Sequence, residues 1–117
     1  MLNQVTLVGN LGADPEVFFS SEGDQVTSFN LAFRASKKNT GWIKVTCFNK
    51  LAEIASNHLH KGARIGLQGT LDQHHWNATD GSPRSSFQIL ANSIEFIKTD
   101  GRGFKEGREP GDDEISS

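Results

Sequence analysis

Trp42, Lys44, Thr46 and Phe48 alternate with Ile43, Val45 and Cys47, and in a β-strand alternate side chains point to opposite faces. One register is apolar and fit for a core. The other mixes two large rings, a cation and a hydroxyl, and a buried layer would not carry Lys44, whose charge it would have to desolvate. Exposed rings interleaved with cations suit the stacking of unpaired nucleobases, with Lys44, and Lys50 just beyond, meeting phosphates. Packing of Trp42 and Phe48 under a loop or in a subunit contact is the other use of the same pattern.

Residues 64–76 repeat the alternation: Ile65, Leu67, Gly69 and Leu71 share one register, and Arg64, Gln68, Thr70, Asp72, His74 and Trp76 the other. Trp76 thus falls on the non-core side at the start of the Asn77–Pro83 turn, where a large exposed ring is costly without a partner. Its alternative use is to close the hairpin end. Arg34, Lys37 and Lys38 run into the next loop, and Arg84 leaves the last turn. Singly these are solvated surface charges; gathered around one sheet face they make a local positive groove.

Catalytic or metal chemistry would have to come from Cys47 and the four histidines. His58 and His60 are two apart on an expected helix, and His74 and His75 are adjacent on an expected strand, so each pair diverges and neither chelates one ion. Cys47 is expected inward, as a small hydrophobe rather than a nucleophile. The expectation is therefore neither an enzyme nor a metal or cofactor protein.

A chain of 117 residues makes one ordinary domain and at most a tail. Its hydrophobic fraction of 35%, with 12 glycines besides, supports a packed core and excludes global disorder. No apolar run approaches the ~18–20 residues of a membrane span, and the start, Met1-Leu2-Asn3-Gln4, has no basic leader, so no membrane association or export is expected. A single cysteine fits a reducing, cytoplasmic compartment. The net charge of −2 excludes indiscriminate attraction to polyanions.

Composition shifts at residue 98. Residues 98–117 hold four glycines, one proline, six acids and four bases, leaving eight bases and eight acids in residues 1–97. The expectation is a folded domain over 1–97 and a disordered, glycine-rich acidic tail over 98–117. Within the domain, turn-forming clusters at 9–12, 20–24, 38–41 and 77–83 break a period of 2, which predicts antiparallel strands near 4–11, 25–35, 42–48, 63–74 and 85–97. Between the third and fourth, Asn49 is expected to cap a short helix with Leu51, Ile54, Ala55, His58 and Leu59 on one stripe, ended by Lys61-Gly62. Five strands with one helix between the third and fourth is the order of an OB-fold barrel, an all-β class. Gly9, Gly66 and Gly69, inside strands, suit the sharp bending of a small barrel.

From Leu2 to about Ile97 the chain resembles the bacterial single-stranded-DNA-binding proteins. The likeness rests on Val5-Thr6-Leu7-Val8-Gly9-Asn10-Leu11-Gly12, Asp14-Pro15-Glu16-Val17, Trp42, Phe48-Asn49-Lys50-Leu51-Ala52-Glu53, Lys61-Gly62, Gly69 and Trp76, in order. It implies an OB-fold that assembles as a homotetramer and wraps single-stranded DNA in replication, repair and recombination. It also implies that Trp42, Phe48 and Trp76 stack bases and that Lys44, Lys50, Lys61 and Arg84 fall where the family carries phosphate-contacting bases; Arg34 and Lys37 join that set by position. Lys37 replaces a further stacking tryptophan of some members, the loop from Lys37 to Gly41 is short, and Asp72-Gln73-His74-His75 stands where well-known members are richly basic. Ile43 replaces a familiar interface histidine. The end, Asp112-Asp113-Glu114-Ile115-Ser116-Ser117, has the acids and one aliphatic of a partner-docking tail for replication and repair proteins, without the family's Pro-Phe tip. The alternatives are a primosomal-type paralogue acting as a dimeric adaptor, and a barrel whose rings form a protein interface.

Overall fold

A computed structural model describes residues 1–97, in six strands and one helix: β1 (Val5–Leu11), β2 (Glu16–Phe19), β3 (Gln25–Arg34), β4 (Thr40–Phe48), α1 (Asn49–His58), β5 (Arg64–Asn77) and β6 (Pro83–Phe96). The tail expected over 98–117, with Asp112, Asp113, Glu114 and Ile115, lies outside the described residues. The sheet order is β1-β5-β6-β4-β3-β2, and a further β1–β3 pairing closes it into a barrel. Among the described strands only the β4–β6 pair is parallel. The five expected strands are present as β1, β3, β4, β5 and β6. The addition is β2, a four-residue strand paired with β3; it has no burial alternation, so a period-2 pattern does not reveal it.

Leu31, Val45, Cys47, Ile65, Leu67 and Ile89 fill the barrel, and Ala52, Ala55 and Leu59 of α1 and the segment after it plug one end. Each large side chain so buried contributes roughly 1.5–3 kcal/mol by leaving water. The helix is tied down by polar bonds too: Thr27 Oγ1 donates to the Ala52 carbonyl at 2.9 Å, and Gln25 Nε2 to Ser56 Oγ at 3.0 Å.

The helix start departs from expectation. Phe48, in extended conformation, is the N-cap, with no side-chain capping bond, while Asn49 takes a left-handed backbone at φ 56°, which asparagine tolerates better than most residues. His58 lies outside the buried stripe and meets Phe96 edge-on instead, with ring centroids 5.9 Å apart. Of Gly9, Gly66 and Gly69, the strand glycines expected to bend the barrel, two are sterically required. A Cβ at Gly9 would collide with the Ala32 carbonyl, and one at Gly69 with the Leu90 carbonyl, beside the irregularity at Gln68/Gly69. Gly66 would meet nothing closer than 3.7 Å, so it does not share that role.

β5 and β6 stay paired as far as Asn77 opposite Pro83. Residues 78–82 close the hairpin, with Gly81 at φ 85° and Asp80 accepting from both the amide and the hydroxyl of Ser82. Those bonds, the hydroxyl's first, hold the Asp80 carboxyl below the usual carboxylate range. Leu71, expected inward with Leu67, is exposed, because the hairpin has outrun the barrel by that point.

Candidate nucleic-acid interface

Residues directly opposite on paired strands share a face. From β3 across β4 and β6 to β5, one such row reads Asn30, Lys44, Gln88, Asp72. The next row toward the hairpin tip pairs His74 with Ser86, and the one after pairs Trp76 with Arg84. Trp42 and Phe48 lie two and four residues from Lys44 on β4 and share its face. The register therefore brings Trp42, Lys44, Phe48, Trp76 and Arg84 onto a single outward face. All three rings meet solvent, Trp42 at 60%, Phe48 at 46% and Trp76 at 44% of full exposure.

The face is organised at its centre by a polar chain. Thr46 Oγ1 donates to Gln88 Oε1 at 2.8 Å, and Gln88 Nε2 donates to Asp72 Oδ2 at 3.0 Å. Thr46 points to this face as expected, but it is buried beneath its neighbours and is not available to a ligand. Trp42 lies over Gly12, where an added Cβ would fall 2.5 Å from Cζ3 of the ring; only glycine lets the indole settle there. Trp76 is flanked by His74, stacked at 5.5 Å with the rings 22° apart.

The cations divide into groups. Lys44 lines a recess of about 280 Å³ with Asn30, Ser28 and the acids Asp14 and Glu16. Lys50 stands exposed in the first turn of α1, just past Phe48. Lys61 is exposed in the turn after the helix, its amide held by Asp14 Oδ1 at 2.8 Å. Arg34 stands opposite Thr40, in the register that carries Trp42, and its guanidinium donates to the Lys37 carbonyl at 3.0 Å, pinning the short loop, while Lys37 itself is exposed. Arg34 also lines a recess of about 400 Å³ together with Asn10 and Arg64, and Arg64 donates to Asn10 Oδ1 at 3.1 Å. Of the two cations of residues 1–97 outside the candidate set, Lys38 and Arg64, Arg64 is the one that lines this recess. Its outward register was readable, but closure of β1 onto β3, which brings it to Arg34, was not.

Cys47 is buried, and desolvation pushes its thiol up to about 12, so it is not a thiolate nucleophile. Among the described residues no group of three or more His, Cys, Asp or Glu side chains is placed to hold a metal ion, and no helix is long and apolar enough to cross a membrane.

A small closed β-barrel plugged by one helix, with rings and cations exposed across one sheet face, is an oligonucleotide-binding barrel of the OB class. The Single-strand binding protein family matches residues 2–97, and the chain belongs to that family. It is 40% identical over 101 residues to Single-stranded DNA-binding protein 1 of Synechocystis sp., covering 82% of this chain and 84% of that protein. It is also 34% identical over 104 residues to the single-stranded DNA-binding proteins of Neisseria meningitidis serogroups A and B, spanning 60% of their length.

Proposed function

We propose that this protein binds single-stranded DNA with little sequence preference and holds exposed strands during replication, recombination and repair, acting as a cytoplasmic homotetramer. Trp42, Phe48 and Trp76 stack bases; Lys44, Lys50, Lys61, Arg34, Lys37 and Arg84 meet phosphates. Stacking needs no base-edge code, because every base has a π-face. The observation that carries this reading is the cross-strand register that sets Trp42, Lys44 and Phe48 on the same open face as Trp76 and Arg84. The acids of the tail, Asp112, Asp113 and Glu114 with Ile115, are proposed to dock replication and repair proteins.

Titration with oligo-dT at two salt concentrations, followed by tryptophan emission, tests the reading. Quenching and a negative slope of log affinity against log salt are expected; unchanged emission with no measurable binding refutes it. The position of Asp72 at the centre of the face favours a second reading, a dimeric adaptor of the primosomal type with weak DNA affinity. Mass in solution separates the two.

A further inference from the structure

We propose that Phe18 is a further base-stacking residue, so that the bound strand continues from Phe48 across β3 onto β2; this rests on the single-stranded-DNA reading above. Phe18 is directly opposite Val26, and Val26 directly opposite Phe48. The three therefore form one row on the outward face. Phe18 is 49% exposed and Val26 only 6%, so the row is a trough with an apolar floor and a ring on either side. With strands ~4.8 Å apart, the two phenylalanines stand about 10 Å from each other, and Trp42 lies about 20 Å from Phe48 along β4. Phe18 thus extends the rings sideways from Phe48, across the strands rather than along β4.

The strand that carries Phe18 brings no cation of its own. The next outward residue on β2 is Glu16, which lines the Lys44 recess together with Asp14. An exposed ring beside a carboxylate contributes to strand binding through the base face and not through phosphate contact, so its loss lowers affinity without altering the salt dependence.

Phe19 supplies the internal control. It is exposed as well, but it pairs with Gln25, whose side chain bonds to Ser56 of α1, so it belongs to the opposite, helix-side face. A protein partner that wrapped the short end strand β2 would engage both phenylalanines; a stacked base needs Phe18 alone.

The experiment titrates the full chain with oligo-dT by tryptophan emission at two salt concentrations, using Phe18→Ala, Phe18→Trp, Phe19→Ala and Trp42→Ala, with mass in solution measured for each. Phe18→Ala is expected to weaken binding about 5-fold or more, with the salt slope and mass unchanged and Phe19→Ala like the parent. Phe18→Trp is expected to keep affinity and add a quenched fluorophore. Parental affinity in Phe18→Ala while Trp42→Ala binds weakly overturns the inference and leaves the general reading standing. Equal losses in Phe18→Ala and Phe19→Ala, or a changed mass, also overturn it, in favour of a protein contact. If neither Trp42→Ala nor Phe18→Ala affects binding, the stacking reading itself fails and takes the inference with it.

Discussion

β4 and the outer half of the β5–β6 hairpin are written in the same alternation, yet only in β4 does the inward register reach a core. Val45 and Cys47 are fully buried and Ile43 packs against them, so Trp42, Lys44 and Phe48 project from a strand held by β3 on one side and β6 on the other. In the hairpin, Phe87 and Leu71 continue the inward register of Ile89, but both are exposed. Trp76 and Arg84 therefore ride on an arm held by its own ladder. Rings on a core-backed strand are preorganised, whereas rings on an arm that opens at low free-energy cost adapt to what they bind.

The comparison is broken most directly on the inward register itself. Ile89→Ala, at the root of the arm, is expected to cost about 2–5 kcal/mol, and Phe87→Ala, two residues further out, roughly 0.5 kcal/mol or less, both read by urea denaturation. If Phe87→Ala costs as much as Ile89→Ala, the arm is packed against something in solution and the contrast is false. Next in size is DNA affinity. Trp42→Ala and Trp76→Ala are each expected to lose about 1–3 kcal/mol of oligo-dT binding. Gly12→Ala, which puts a Cβ 2.5 Å from the Trp42 ring, is expected to reproduce much of the Trp42 loss. An unaffected Gly12→Ala would mean that the Trp42 seat is not preorganised.

The sequence made this contrast only half readable. Alternation assigns a side to every residue of a strand, so Trp42, Phe48 and Trp76 could be placed outward and Val45 and Cys47 inward without coordinates. It does not say whether the inward side is covered, and so Leu71 looked like core and proved exposed. Nor does it say what overlies an outward residue: Thr46 is sealed by its neighbours, with Gln88 bonded to it from β6. β2 was missed because four residues paired on a single edge carry no period, and with it went Phe18. Asn49 failed as a cap because its own backbone turns left-handed at the junction of β4 and α1, a property of the join and not of the residue type.

The buried thiol of β4 gives a third, smaller test. Burial raises Cys47 from 9.0 to about 12, so the folded state holds a proton that the unfolded chain releases earlier. The stability contribution is complete below about pH 9 and is lost as pH climbs toward 12. Between pH 8.5 and 10.5 the parent is expected to lose about 1–2 kcal/mol more than Cys47→Ala, read from urea midpoints at each pH. Parallel pH profiles would show that β4 is less sealed than its packing implies, and the preorganisation argument would weaken with it.

The smallest effect compares one cation from each region. Counterion release counts phosphates, at roughly 0.7 in salt slope per contact on a single strand. Lys50→Ala, beside the core-backed Phe48, is expected to flatten the slope by that amount whatever the length of the oligo-dT, because its position is fixed before binding. Arg84→Ala, on the arm opposite Trp76, is expected to flatten it only with oligonucleotides long enough to reach from β4 to the arm. With a short oligonucleotide confined to β4, its slope stays parental. Equal slope changes at every length would mean that the arm already lies along the strand path before DNA arrives, and the distinction between a fixed strand and an adaptable arm would then fall on electrostatic grounds even if the stability data upheld it.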